Sequence, residues 1–286
     1  MKTLRYHLLT LPALLLSLGV VFVPGVMTVY VAFTNWNGVS LQMDWVGLAN
    51  FREIFGDRIF WQSLYNNSRW MILFVTIPVA IGMLTAFLLL RRQKSRTAYQ
   101  LIYLLPYVLA PVTNAMLWLN IIFNPNSGVI GFLRKSGLPI AAPLGMMETA
   151  LYAVATVDMW HYWGFLTVVY LAALRQTPYD QVEAAQIEGV NGWQLFRYVY
   201  LPSIKPTVQL MFVMIIIFSF LTFDYVYLLT NGGPAHATEM LSTYAYTFAF
   251  YTFQVGKAAA VALFMSFFGL IASFFYTALS RKDITA

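Results

Sequence analysis

The sequence predicts an all-α, polytopic membrane protein with six transmembrane helices, and three observations lead to it. Of the 286 residues, 60% are hydrophobic and 10% are charged, against about half and about a quarter in a soluble domain. The apolar residues gather in six runs, each near the roughly 20 residues that carry a helix across a bilayer. Lys and Arg fall mainly in alternate connections between those runs.

In chain order the predicted spans are 8–33, 70–90, 101–123, 150–174, 207–229 and 258–280. The first follows Lys2 and Arg5 and so resembles a signal peptide. Its apolar run exceeds the roughly 7–15 residues of a cleaved core, so an uncleaved span is expected. Pro12, Pro24, Pro78, Pro106 and Pro111 lie within or near apolar helices. Each removes a backbone donor and tends to kink its helix. Ordinary membrane helices tolerate proline, and transporters break helices with it, so these residues leave both readings open.

Orientation follows from charge. Lys2, Arg5, Arg91, Arg92, Lys94, Arg96, Arg175, Arg197, Lys205, Arg281 and Lys282 share one side, leaving Arg52, Arg58, Arg69, Arg134, Lys135 and Lys257 on the other. The second set is partly offset by Asp44, Glu53, Asp57, Glu148 and Glu239. By the positive-inside rule both termini are expected in the cytoplasm, and an even number of spans agrees. The net charge of +6 is scattered and forms no basic stripe, which speaks against a nucleic-acid partner.

Several chemistries are excluded. Without cysteine there is no disulfide, thiolate metal site or Cys nucleophile. No HExxH zinc pattern, GxSxG elbow or GxxxxGK[ST] nucleotide loop occurs, and His7, His161 and His236 are dispersed. No catalytic residue and no metal site is expected, and any ATP hydrolysis must belong to another chain.

The connection after the fourth span, 175–206, reads RQTPYDQVEAAQIEGVNGWQLFRYVYLPSIKP. Thr177 is expected to cap a helix with Pro178 at its first position and Asp180 completing a capping-box-like arrangement. Gly189 supplies a left-handed stop. Asn191 with Gln194 caps a second helix from Gly192 to Leu201, which Pro202 and Pro206 end. Such a hairpin either links two spans or docks as a lever in a groove of another protein. In the second case Glu183 offers a charge, and Ala184 and Ala185 allow close approach.

Glu183, Ala184, Ala185, Gly189, Leu201 and Pro202 resemble the EAA motif of binding-protein-dependent ABC importer permeases, with Glu188 for the usual Asp and Val190 for the usual Ala. The sequence VGLANF at 46–51, then Phe60 and Asn67, is similar to the sugar-permease branch. Phe223, Asp224 and Tyr227, TNGGP at 230–234, Thr238, Glu239 and Tyr246 resemble the larger maltose permease subunit and the first glycerol-phosphate permease subunit, without the large external insert of the former.

This resemblance implies an ABC type I importer permease fold in a bacterial or archaeal cytoplasmic membrane. Residues 1–65 would form an N-terminal segment, first span and external connection, 66–280 the transmembrane domain, and 281–286 a cytoplasmic tail. It implies a second, different permease subunit, two ABC ATPase subunits carrying ATP and Mg, and an extracytoplasmic solute-binding protein. The chain itself would bind no cofactor. The implied cargo is a carbohydrate, with glycerol phosphate or a non-sugar solute as the alternative, and an ATP-independent channel or secondary transporter as the more remote one.

For a substrate path, Asp158 and His161 share one helical face near Trp160, Tyr162 and Trp163, while Asp224 stands beside Tyr225 and Tyr227. Aromatic faces suit the apolar side of a sugar and carboxylates its hydroxyls. The same residues would also serve as an interfacial belt or as bonds between helices. Asn114 and Trp118 are weaker candidates. Tyr244, Phe248 and Tyr251 are expected on an amphipathic helix at the outer interface, and TNGGP in a tight turn.

Overall fold

A computed structural model describes residues 10–92, 94–138 and 140–285, with side chains up to 278. Lys2 and Arg5, and the side chains of Arg281 and Lys282, therefore lie outside the described residues. Among the described residues the secondary structure is helical, without a strand; Thr34 and Trp45 form an isolated bridge.

The long helices are α1 (Thr10–Val31), then, after the short α2 (Ala49–Gly56), α3 (Arg58–Leu90). Next come α4 (Arg96–Val108), α5 (Pro111–Ile122), the short α6 (Val129–Lys135) and α7 (Ala150–Leu174). The hairpin helices α8 (Tyr179–Ile187) and α9 (Gly192–Ser203) lead to α10 (Lys205–Leu221). The chain closes with α11 (Asp224–Leu229), α12 (241–251) and α13 (Val255–Thr285).

Helices α1, α3 and α13 are each long and apolar enough to cross a bilayer, and two bent pairs, α4 with α5 and α9 with α10, pass together. Helix α7 has the length, 25 residues, but Asp158, Trp160, His161, Tyr162 and Trp163 dilute its apolar run. Twelve of its residues are buried, so other parts of the protein cover much of its surface.

Helix α3 departs most from expectation. It starts at Arg58, twelve residues ahead of the apolar run, because the Asp57 carboxylate accepts the Ile59 N–H at 2.9 Å while Gln62, Asn66, Asn67 and Arg69 keep its first turns polar. At 1.5 Å per residue it is about 50 Å long, well beyond the roughly 30 Å hydrocarbon core. Pro78 stays inside it.

The chain forms two compact units. The first comprises the described residues up to 61 and residues 241–267. There the Asn50 amide donates to the Ala32 and Thr34 carbonyls at 2.9 and 2.8 Å, fixing α2 to the end of α1. Lys257 pairs with Glu53. The 244–251 stripe differs from an interfacial helix: the Tyr244 hydroxyl donates to Asp57 at 2.6 Å and its ring packs on Phe60, so the stripe begins in the unit's core, although Tyr251 is exposed.

The second unit comprises 62–240 and 268 onward and centres on α7. Small residues let helices cross closely, as in other membrane bundles. Gly164 lies directly on the Tyr103 carbonyl of α4, and Gly82 of α3 lies on Leu166 and Thr167. Beside Gly82, the Thr85 and Thr167 hydroxyls share a hydrogen bond of 2.7 Å. The Asn67 amide donates to the Ser219 carbonyl at 2.7 Å, where α10 stops and its last carbonyls lose helical partners.

Candidate functional site

Two helix breaks in the second unit face one cavity. Between α4 and α5 the chain turns by 96° at residues 109–110, and between α10 and α11 it unwinds at Thr222 and Phe223. Irregular backbone at membrane depth is tolerated where it is buried in protein or lines a cavity. The cavity holds about 270 Å³. Tyr107 and Pro111 line it from the first break, and Thr222, Phe223, Asp224 and Tyr225 from the second. Trp70 and Phe74 of α3, Asp158, His161 and Tyr162 of α7, and the end of α10 from Ile215 through Ser219 to Leu221 complete the wall.

The aromatic wall is tightly interlocked. Trp70 stacks on Phe74 with centroids 5.2 Å apart, Tyr107 stacks on Phe165 at 4.6 Å, and His161 lies between Tyr107 and Tyr225 at 5.1 and 5.6 Å. Asp158 Oδ1 stands 3.7 Å from His161 Nδ1, beyond hydrogen-bond length but within reach of an ion pair. Asp224 is exposed, whereas Asp158 is mostly covered.

Four of the expected path residues, Asp158, His161, Asp224 and Tyr225, therefore come together. Trp160 and Tyr227 do not line the cavity: Trp160 packs edge-on against Trp118, and Tyr227 stacks on Phe223 at 5.0 Å. Sequence reasoning missed Trp70, Phe74, Tyr107 and Thr222, although Pro106 and Pro111 signalled the first break. Asn114, a weaker candidate for the path, does not line the cavity but ties two of its helices together. This residue is fully buried, its amide donates to the Tyr225 hydroxyl at 2.8 Å, and its Oδ1 accepts no hydrogen bond among the described residues.

The 175–206 connection forms a capped hairpin. Helix α8 ends in a Schellman motif: Gly189, at φ +78°, donates to the Gln186 carbonyl at 3.0 Å and Val190 to that of Ala185 at 3.3 Å. A reciprocal capping box opens α9, with the Asn191 N–H on Gln194 Oε1 at 2.8 Å and the Gln194 N–H on Asn191 Oδ1 at 2.9 Å.

Two details differ from expectation. Pro178, at ψ 129°, occupies the cap position itself, so α8 begins at Tyr179; the buried Thr177 hydroxyl makes no capping bond. Neither Leu201 nor Pro202 ends α9, which continues to Ser203. Phe196–Tyr200 is π-helical, and the Leu201 N–H reaches five residues back to the Phe196 carbonyl. That widened turn makes room for the Pro202 ring, which would clash in an α-helical turn. The 72° bend comes at Ile204, with Pro206 in the first turn of α10.

Glu183, Ala184, Gly189 and Pro202 are exposed, and Ala185 and Leu201 half-buried. Tyr179, Ile187, Trp193 and Tyr198 add exposed apolar surface to the hairpin. On its inner side Phe196 and Tyr200 pack on Phe87 at 5.0 and 6.1 Å. The Arg91 guanidinium lies over Phe87 and against Gly192. Burial pushes the Tyr200 phenol above its ordinary range, with Arg91 opposing.

Among the described residues no three His, Asp or Glu side chains cluster as metal ligands. An all-helical membrane bundle with two helix breaks at a shared cavity and a capped hairpin between α7 and α10 fits a transport subunit of the permease class. Residues 68–282 match the model of the "binding-protein-dependent transport system inner membrane component", and the chain belongs to that family of multi-pass membrane proteins.

A "probable ABC transporter permease protein" of Pyrococcus horikoshii is 34% identical over 275 residues, covering 94% of each chain. A "probable starch degradation products transport system permease protein" of Thermoanaerobacterium thermosulfurigenes is 30% identical, covering 91% of this chain and 89% of its own. Among solved structures, a bacterial ABC transporter involved in the import of the acidic polysaccharide alginate superposes with a TM-score of 0.85 at 25% identity, over 98% of this chain and 96% of that one.

Proposed function

We propose that the chain is a permease subunit of an ATP-driven importer that passes a carbohydrate along the cavity between its two helix breaks. The observation that carries this reading is the convergence of both breaks on Asp158, His161, Asp224 and Tyr225 within one aromatic-walled space. Discontinuous helices near the midplane are how many transporters build a solute site. The starch degradation products and the alginate carried by these two similar transporters support a saccharide. At about 270 Å³ the cavity lies just under the roughly 300 Å³ at which ligand pockets begin. A second, different permease subunit would supply the remaining wall.

In this reading both termini are cytoplasmic, residues 66–280 form the transport domain, and the hairpin seats on an ATPase subunit. Glu183 would pair with that partner, and Ala184 and Ala185 would permit close contact. Gly189 would hold the corner, and Leu201 and Pro202 would carry the motion into α10. ATP and Mg would belong to two ATPase subunits, and an extracytoplasmic binding protein would deliver the solute. The chain makes and breaks no covalent bond. It supplies two conformations of similar free energy that its partners bias.

The test is a tagged chain purified with its partners and reconstituted in vesicles. Gly189→Val must abandon a left-handed φ that β-branched residues resist. ATP hydrolysis should persist while starch-oligosaccharide or other binding-protein-delivered uptake per ATP falls at least about tenfold. Unchanged uptake per ATP in that variant would refute the lever, and uptake by the chain without any ATPase would refute the importer reading itself.

A further inference from the structure

The charge lining the cavity is one-sided. Asp158 and Asp224 bring carboxylates from two different helices, and no Lys or Arg is among the lining residues. His161 is the one lining group able to gain a positive charge, and it stands beside Asp158. The nearest candidate cation in sequence, Arg69, precedes Trp70 on α3 but is engaged elsewhere. Its guanidinium donates to the Tyr152 hydroxyl at 2.9 Å and lies over the Tyr65 ring.

A phosphate or carboxylate entering such a space would shed water without gaining a counter-charge and would meet like charge at reduced dielectric. A neutral sugar would donate hydroxyls to the carboxylates in charge-assisted hydrogen bonds and lay its apolar face on Trp70 or Tyr107. An ammonium group would gain both the carboxylates and the aromatic faces. Resting on the reading of this cavity as the solute path, we propose that Asp158 and Asp224 filter solutes by charge. The cavity admits uncharged and amine-bearing sugars and refuses phosphorylated sugars and uronates. The alginate importer shares the fold, and its acidic cargo would not suit this wall.

The sequence contains no cysteine, so a single introduced thiol reports on the cavity alone without knowledge of the natural solute. Thr222→Cys and, separately, Ser219→Cys place it on the lining. The tagged full-length chain in its membranes would be treated with methanethiosulfonates bearing a trimethylammonium, a sulfonate or only a methyl group, and labelling rates read from the intact mass of the chain. Each rate is divided by that for a small free thiol.

The cationic reagent should outrun the anionic one at least about tenfold after this correction, with the neutral reagent between them. Adding Asp158→Asn and Asp224→Asn should bring the ratio close to one. If the three reagents enter at equal corrected rates, or if the double substitution leaves the ratio unchanged, the charge filter fails while the cavity stays an open path. If none of them, including the neutral one, labels either thiol, the solute path fails and the filter with it.

Discussion

Asn114 shows how much a single buried amide can matter in this bundle. Its Nδ2 holds the hydroxyl of Tyr225, so the break before α5 is tied to the break before α11 by one hydrogen bond of 2.8 Å. Removing one partner of such a pair strands the other away from water and costs about 1–3 kcal/mol, whereas replacing both with apolar groups of similar shape is nearly neutral. Tyr225→Phe should therefore destabilise the detergent-solubilised protein by that amount, and Tyr225→Phe with Asn114→Leu by clearly less. Thermal unfolding followed by tryptophan fluorescence checks this, and equal losses would show that the bond contributes little. Asn114 was visible in the sequence but its partner was not, because the two lie 111 positions apart. Asp158 and His161 were legible as a pair for the opposite reason: residues three apart on one helix share a face. Trp160 and Tyr227 share their neighbourhoods, yet each turns to a ring that the sequence did not place beside it.

At the level of elements, local chemistry decided what could be foreseen. The Asn191–Gln194 box and the Gly189 stop depend on neighbours in sequence, and both form. Thr177 and Pro202 depend on the path the chain takes around them, a rigid extended cap in one case and a widened turn in the other. The contact of the hairpin with α3 lay beyond any local pattern. There Phe87 meets Phe196 and Tyr200, and Arg91 rests against Gly192. Phe87→Ala would remove the ring that joins the two elements. Because the site is only partly buried, the stability loss should stay below the roughly 3–5 kcal/mol of a full core truncation. In reconstituted vesicles the expected result is ATP hydrolysis near the parent rate with uptake per ATP reduced several-fold. Unaltered coupling would show that the hairpin acts through α10 alone.

For the whole molecule, six apolar runs and alternating charge foresaw an all-α membrane bundle, and the family assignment agrees. Hydropathy could not foresee that α3 extends twelve residues ahead of its apolar stretch, nor that other parts of the protein would cover much of α7, since burial is a property of neighbours. Helix α3 spans both candidate sites. Trp70 and Phe74 face the cavity near its middle, and Phe87 meets the hairpin about 20–25 Å further along at 1.5 Å per residue, with Arg91 just past the helix end. A continuous helix carries displacement over that distance only while it stays stiff. Ala80→Gly, between the two sites, weakens the helix by about 1 kcal/mol. It should lower uptake per ATP while leaving the yield of assembled complex near normal, and identical coupling would argue against α3 as the rod.

The corner of the hairpin has one further property. A Cβ built on Gly189 would meet no atom within 4 Å, yet its φ is +78°. The requirement at this position is therefore one of handedness and not of room. Asparagine, which tolerates the left-handed region, could stand there, while alanine, smaller but averse to it, fits less well. The corner between α8 and α9 thus depends on a backbone conformation that one residue supplies in open space, while the flanking helices keep their own packing through Val182, Phe196 and Tyr200.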